Sequence, residues 1–246
     1  MSSNRVISWF SCGAASAVAT YLAAIKYGSR MEAVYCRVQE EHTDNLRFMD
    51  DFTKVTKIPV KVIMDKASGG SIYNIFMKRK FIKNAYGAPC TMILKRDMRK
   101  AYQRPDDIQV FGYTSEEQDR ADSFIDANND VTEDFLLIKN DISKKQCLAI
   151  VRDILGIELP VMYRLGYQNN NCVGCVKGGM GYWNKIRKDF PEQFDRMAKL
   201  ERTIGHAVCK DGRGPIYLDQ LAPTRGRFVE DSPANCGFTC ELKNDK

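Results

Sequence analysis

The sequence predicts a doubly wound, mostly parallel α/β sheet followed by a small cysteine-rich extension. Three observations predict it. Short β-rich apolar runs alternate with helical patterns over the first two-thirds of the chain, each run leads through a loop into a helix, and from about Leu159 the texture changes to turns, short helices and paired cysteines. Val6-Ile7-Ser8-Trp9-Phe10 reads as a buried strand, and small residues over 11–17 lead into an apolar helix that runs to about Tyr27 and stops at Gly28. Residues 33–38 form a second strand. Residues 45–57 carry Leu46, Met49, Phe52 and Val55 at three-residue spacing, the pattern of an amphipathic helix. Residues 59–64 read as a third strand, 108–112 as a fourth, 135–138 as a fifth, and 143–155 as a helix ending before Gly156.

Strands alternating with helices imply βαβ crossovers and a parallel sheet covered on both faces. Ligands in such sheets bind beyond the carboxyl ends of the strands. A basic two-helix insertion occupies about 68–103, so the organisation expected is a nucleotide-binding α/β domain over 1–158 and a helical, cysteine-rich extension over 159–246.

Composition narrows the class. The 246 residues are 44% hydrophobic and 28% charged, with no apolar run near the ~18 residues of a membrane span, which argues against a disordered chain, a collagen and a membrane protein. The net charge of +6 suits a nucleotide, an anionic substrate or a nucleic acid. The opening residues predict no secretion signal, so the nine cysteines are expected in a reducing cytoplasm, where thiols serve chemistry or metals.

Those cysteines fall into a pattern. Cys172-x-x-Cys175 and Cys236-x-x-x-Cys240 are separated by 60 residues, and each pair can chelate one metal from a single turn, with Gly174 and Gly237 allowing the bends. Four thiolates suit Zn2+ or an iron–sulfur cluster, and such a centre would staple a segment with little core of its own. Cys90 stands before a helix carrying Lys95 and Arg96, a setting that lowers a thiol pKa; a reactive, a ligating and a structural role are all open to it. Cys12, Cys36 and Cys147 read as core, and Cys209 as core or an extra ligand.

Ser11-Cys12-Gly13-Ala14-Ala15-Ser16 lies between a buried strand and a helix, where small side chains let backbone N–H groups reach a phosphate at the positive end of the helix. A tight packing turn fits the same residues. In the acidic loop Glu40-Glu41-His42-Thr43-Asp44, the carboxylates suit a magnesium ion or a ribose, or simply face water.

The 11–16 segment resembles the pyrophosphate loop, Ser-Gly-Gly-x-Asp-Ser, of the PP-loop ATP pyrophosphatase and phosphoadenylylsulfate (PAPS) reductase superfamily. Ser11, Gly13 and Ser16 match; Cys12 replaces a Gly and Ala15 replaces the Asp. Further segments resemble the superfamily in the same order: the acidic loop at 40–45, Cys90-Thr91 with Lys95, and the Gly loop from Gly112 to Arg120. The C-terminal part looks closest to a PAPS reductase-like group common in phage genomes, whose setting would be the host cytoplasm. The resemblance implies an adenine nucleotide alpha-hydrolase-like fold and a nucleotide site formed by residues 11–16, Glu41 and Gly112. It also implies ATP or PAPS with Mg2+ as ligand, and Cys90, Lys95 and Arg120 as catalytic residues. The lean from zinc toward iron–sulfur comes from the same relatives.

Three functions follow from this reading. The first is an enzyme that binds ATP and adenylates an acceptor, with release of AMP and pyrophosphate, for sulfur or nitrogen insertion on a substrate such as nucleic acid. The second is a sulfonucleotide reductase working through a thiolate, for which Asn235-Cys236-Gly237 partly resembles the reductase tail. The third is a non-catalytic module binding nucleotide or nucleic acid. The partners implied are an adenine nucleotide, a nucleic acid on the basic insertion with its interleaved Tyr73, Phe76, Phe81, Tyr86 and Tyr102, and a thioredoxin-like or sulfur-donor protein.

Overall fold

A computed structural model describes residues 4–228. In chain order, β1 (Val6–Phe10) leads into α1 (Ala14–Tyr27), β2 (Met31–Cys36), α2 (Asp44–Thr56) and β3 (Val60–Ile63). Next come α3 (Ile72–Arg79) and α4 (Pro89–Thr91), and a π-helical turn (Met92–Asp97) carries α4 on into α5 (Met98–Tyr102). They are followed by β4 (Ile108–Val110), α6 (Gln118–Ala127), β5 (Thr132–Asp134), α7 (Leu136–Lys139), α8 (Lys144–Ala149) and α9 (Val161–Arg164). The last described elements are α10 (Met180–Asp189), α11 (Pro191–Ile204) and the strands β6 (Cys209–Asp211) and β7 (Gly214–Ile216). No described helix is long and apolar enough to cross a membrane.

The elements form two units. Unit 1 comprises Met1–Arg37, Thr43–Ile63 and Met98–Arg164, and unit 2 comprises Val38–His42, Met64–Asp97 and Leu165–Lys246. Both sequence-defined segments are divided: residues 68–97 of the basic insertion and Glu40–His42 of the acidic loop belong to the same unit as Leu165–Lys246, whereas Asp44, Arg99 and Lys100 belong to unit 1.

Unit 1 is built on a five-stranded sheet of order β3-β2-β1-β4-β5, all parallel. In the centre, Val6 pairs with Met31 on one side and Ile108 on the other. A strand so placed is covered on both faces, which is why every residue of β1 is buried and why its sequence reads as a continuous apolar run. The helix α1 packs on β1, and Phe10 meets Phe48 and Phe52 of α2 at ring-centroid distances of 6.2 and 5.0 Å. Each such fully buried side chain contributes on the order of 1.5–3 kcal/mol. From β1 the chain builds outward to β2 and β3, then returns to add β4 and β5 on the other side. The reversal creates a crevice beyond the ends of β1 and β4.

The fifth strand corrects the expectation from sequence. Residues 135–138 form most of α7 and its entry, not a strand; the strand is Thr132–Asp134, paired through Ile108 with Thr132 and Val110 with Asp134. A four-residue apolar run fits a buried strand and a buried helical turn equally well. The turn wins here because Asn140 donates its side-chain amide to the Leu136 carbonyl (2.7 Å) and the backbone of Lys139 bonds back to Phe135 (3.0 Å). The helix expected over 143–155 is present, opened by a capping box between Ser143 and Gln146, but its second half (Ile150–Ile154) is π-helical.

In unit 2, α10 and α11 share Phe190 as boundary, with Pro191 opening α11. Trp183 is fully buried and meets Phe194 at 6.3 Å. Glu201, also fully buried, accepts hydrogen bonds from the backbone N–H groups of Val208 and Leu218 and so holds both ends of the β6–β7 hairpin on α11.

Candidate functional site

The crevice of unit 1 opens directly after β1. Cys12 takes a left-handed conformation (φ 56°) that costs a side-chain-bearing residue about 1–2 kcal/mol and that glycine adopts freely. It is buried, so its strain is held by the surrounding packing. Gly13 then begins α1 with no side-chain cap, and the first turn contains no acidic residue. The N-terminal amides and the positive end of a 14-residue helix thus face a loop of small side chains. Ser16 shapes this loop: its hydroxyl accepts from the N–H (3.0 Å) and hydroxyl (3.1 Å) of Ser11 and donates to the Gly13 carbonyl (2.9 Å).

From the neighbouring strand, Gly112 presses against the same turn. A Cβ there would sit 2.6 Å from the Ser16 nitrogen and 2.9 Å from the Ala15 carbonyl carbon, so only glycine lets the two backbones approach this closely. Above Gly13 lies Tyr163 of α9: a Cβ on Gly13 would find the Tyr163 hydroxyl at 3.3 Å and the Ser11 hydroxyl at 3.7 Å, so two hydroxyls converge on one point of the loop.

The position of α9 is set by Asp44. Its carboxylate accepts from Arg47 Nε (2.9 Å) and Nη2 (2.8 Å) and from the Val161 N–H (2.8 Å), while Arg47 also donates to the Glu158 and Leu159 carbonyls. The Arg47 guanidinium holds the Asp44 carboxyl below its ordinary value. An acidic residue suited by sequence to a metal or a ribose therefore anchors the helix that carries Tyr163.

Arg120, in the first turn of α6, is ion-paired with Glu117 and lies over the Tyr113 ring at 4.7 Å. Glu117 in turn completes a capping box with Thr114. Nearby Lys144 is lowered from its ordinary value by burial, against the pull of Glu117 and Glu116.

The remaining sequence-predicted residues gather in unit 2. The Glu41 carboxylate meets Lys95 Nζ at 2.9 Å, with both side chains more than nine-tenths buried, and Lys95 lies in the π-helical turn, an irregularity frequent at functional sites. Glu40 caps α3, accepting from the Ser71 hydroxyl (2.7 Å) and the Ile72 N–H (2.9 Å). The cysteine knuckle joins the same loop, because Glu41 bridges Cys172 and the Val173 N–H donates to the Glu40 carbonyl (2.8 Å). Cys172 and Cys175 are held on one turn by Gly174 (φ 76°) and by the Tyr182 hydroxyl, which accepts from the Cys175 N–H (2.9 Å) and donates to the Cys172 carbonyl (3.2 Å). Cys90 lies inside α4 between Pro89 and Thr91 rather than before a helix.

Burial raises Cys209 to about 11 and Cys147 to about 12, as expected of packed thiols. Cys12, Cys36 and Cys147 are all buried, in agreement with their reading as core. Among the described residues no three His, Cys, Asp or Glu side chains converge as a metal site. Cys236 and Cys240 lie outside the described residues. The last described residue, Phe228, packs on Tyr167 (5.8 Å), which packs on Tyr182 (5.8 Å).

No protein-family model matches the chain, and no curated protein matches it.

The sequence located Ser11, Gly13, Ser16 and Gly112, which the structure brings into one turn, and separately Glu41 and Lys95, which it pairs. Tyr163 and Tyr182 were not found from sequence. Nothing in the local pattern of either segment distinguishes them from ordinary packing aromatics.

Proposed function

We propose that the chain is a PP-loop-type enzyme that binds ATP by its phosphates at the 11–16 loop and adenylates an acceptor. The acceptor oxygen attacks the α-phosphorus, the bond to the β-phosphate oxygen breaks, and pyrophosphate leaves. A sulfur or nitrogen nucleophile then displaces AMP with the acceptor oxygen. The observation that carries the reading is the junction at the sheet reversal, where an uncapped, acid-free helix N-terminus follows a strand through a small-residue loop that Gly112 braces. Backbone N–H groups there are preorganised for phosphate oxygens, the Tyr163 hydroxyl lies to the side, and the Ser11 hydroxyl would add a donor by exchanging Ser16 for the phosphate. Arg120 would offset developing phosphate charge by exchanging Glu117 for the nucleotide.

In unit 2, the Cys172–Cys175 turn fits one half of a four-thiolate centre, its bend fixed by Gly174 and Tyr182. With Cys236 and Cys240 it would hold zinc, which staples the segment, or an iron–sulfur cluster, which also supplies sulfur or redox chemistry.

One feature favours a second reading. Ala15 leaves the first turn of α1 without a carboxylate, and so without a magnesium ligand where the resemblance leads one to expect Asp. That suits a sulfonucleotide, whose sulfur a thiolate would attack as the S–O bond breaks and the nucleotide phosphate leaves; the thiol-bound sulfonate would then be released as sulfite by a thioredoxin-like dithiol partner, itself oxidised to a disulfide.

Calorimetric titration with ATP and with PAPS, each with magnesium and under anaerobic conditions, separates the two. ATP binding, with AMP and pyrophosphate formed once an acceptor is supplied, supports adenylation. Tight PAPS and weak ATP binding supports the reductase. Binding of neither removes both enzyme readings.

A further inference from the structure

The charge of the chain is unevenly divided. Unit 1 contains 17 Lys and Arg against 17 Asp and Glu, whereas unit 2 contains 20 against 14, so the whole net charge of +6 resides in unit 2. Much of the positive charge on its C-terminal helices is matched locally. Lys185 pairs with Asp189 (2.7 Å), Arg202 with Asp219 (2.8 Å) and Arg225 with Asp211, while Arg187 donates to the Leu218 and Leu221 carbonyls.

Lys188, Lys199 and Arg213 make no ion pair among the described residues, and one further set of such cations clusters: Lys78, Arg79 and Lys80 at the end of α3, and Lys210 on β6, all exposed. The two segments are neighbours: Phe81, next to Lys80, meets His206 edge-on at 5.0 Å, and Lys83 lies near enough to Lys210 for the two to repel. Lys83 itself is not part of the exposed set: burial lowers it, and it faces Cys209, Cys175 and the buried Glu201, whose carboxylate is already committed to two backbone donors. Asp65, which feels Lys78, is held by the N–H and hydroxyl of Ser68.

Complementing the helix dipole accounts for Lys78 and Arg79 in the last turn of α3, but not for Lys80 and Lys210, which lie outside it. Gathering like charges without counter-ions costs free energy, and a bound polyanion offsets that cost. A flat anion-binding surface needs nothing else, yet this one adds a stacking group: Tyr86, at the tip of the 84–87 turn and three residues from Lys83, is 51% exposed. Cations beside an exposed aromatic ring match the phosphates and unpaired bases of a single strand better than they match an acidic protein.

We propose that this face of unit 2 binds single-stranded nucleic acid, with Lys78, Arg79, Lys80 and Lys210 meeting its phosphates and Tyr86 stacking on a base. The strand would carry the acceptor of the adenylation reaction, and in that respect the inference rests on the proposed function; the binding itself does not.

Fluorescence anisotropy with labelled 20-nucleotide RNA, DNA of the same sequence and the corresponding duplex, over a range of potassium chloride, tests this. The single strands are expected to bind more tightly than the duplex, and a preference between them identifies RNA or DNA. K78E/R79E/K80E should weaken binding at least tenfold and flatten the salt dependence of log K by about 2, from three phosphates at ~0.7 each. Tyr86→Ala should weaken it about 5- to 100-fold, the effect of one base stack. The same charge change on unit 1, K54E/K100E/K145E, should have little effect.

Unchanged binding by the α3 triple variant overturns the proposal. So does binding of the duplex or of poly-glutamate as tight as that of the single strands. Titrating the triple variant with ATP keeps the two ideas separable. Strand binding lost with ATP binding kept supports this surface and leaves the loop reading intact. Strand binding kept in a wild-type protein that takes no ATP removes adenylation and leaves the surface standing.

Discussion

Replacing Gly112 with alanine puts a methyl group into a space that the backbone of α1 already fills. The added carbon would lie 2.6 Å from the Ser16 nitrogen and 2.7 Å from its Cα, where ordinary contacts begin at 3.4 Å, so the two chains must part by about 0.8 Å. Neither neighbour is a flexible side chain. All three nearest atoms are backbone of Ala15 and Ser16 in the first turn of α1, and Gly112 itself follows β4, which is paired in the sheet, by two residues. Overpacking of this kind costs about 1–3 kcal/mol, and with backbone on both sides the upper end applies. For a chain of this size, about 3 kcal/mol corresponds to a fall in Tm of about 6–12 °C, read by a thermal melt in far-UV circular dichroism. Gly212→Ala is the control, because Gly212 has no positive φ and nothing within 4 Å of an added Cβ. It should change stability by no more than about 0.5 kcal/mol, or about 1–2 °C. Gly112→Ala should also weaken ATP binding, since the displaced atoms belong to the turn proposed to hold phosphate. If Gly112→Ala melts no lower than Gly212→Ala, the close approach of Gly112 to the loop is wrong, and with it the claim that Gly112 braces the site.

Tyr163→Phe removes a hydroxyl but no packing. A hydrogen bond to a charged phosphate contributes about 1.5–3 kcal/mol, so ATP affinity measured by calorimetry should fall about 10- to 100-fold; unaltered affinity means that the hydroxyl does not reach the ligand. Asp44→Asn breaks the pairing with Arg47 and weakens the tether to Val161, and should cost about 1–3 kcal/mol in urea denaturation while also lowering ATP affinity through α9. A loss of stability without loss of affinity would separate Asp44 from Tyr163. Burial raises Glu201 from 4.5 to about 7. A raised folded value means that its contribution to stability is present below 4.5 and lost as pH climbs through 7, by up to ~3 kcal/mol. Glu201→Gln should flatten the fall in stability between pH 5 and 8, and an unchanged slope would assign that fall to other groups.

The parts of the fold that were legible in sequence are those whose signal is local. The central strand β1 is covered on both faces and so reads as an unbroken apolar run, and α1 is announced by small residues at its start and Gly28 at its end. The fifth strand was misread because an edge strand needs little hydrophobicity: Thr132-Glu133-Asp134 has none, while the apolar residues beside it turn into helix. The π-helical turn at Met92–Asp97 widens the backbone without altering the pattern of side chains, so nothing in the sequence marks it. The candidate site divides the same way. Ser11, Gly13 and Ser16 stand out because tight backbone approach demands small residues, and Gly112 only because its loop resembles a Gly loop of the superfamily. Tyr163 contributes through a contact made across 150 residues of chain, and Asp44 has the residue type of a ligand but the surroundings of an anchor. Glu41 and Lys95 were each singled out for separate chemistry, yet they neutralise one another across 54 residues.

The division of charge gives the two candidate surfaces different physics. Unit 1 has no net charge, so any affinity of its loop for phosphate must come from directed groups: the amides at the start of α1, worth about half a charge together, two hydroxyls converging on Gly13, and Arg120 once it leaves Glu117. Such contacts act over a few ångströms, discriminate between phosphate geometries, and respond weakly to salt. Unit 2 carries the whole excess of +6, and its unmatched lysines act over roughly a Debye length of ~8–10 Å, with little regard for geometry and a steep response to salt. A small ligand bearing several phosphates needs the first kind of site, because net charge alone does not tell a nucleotide from any other anion. A long strand is served by the second, since many weak contacts add along its length and sequence need not be read. The enzyme reading requires both kinds within one chain, and that is how the residues are distributed.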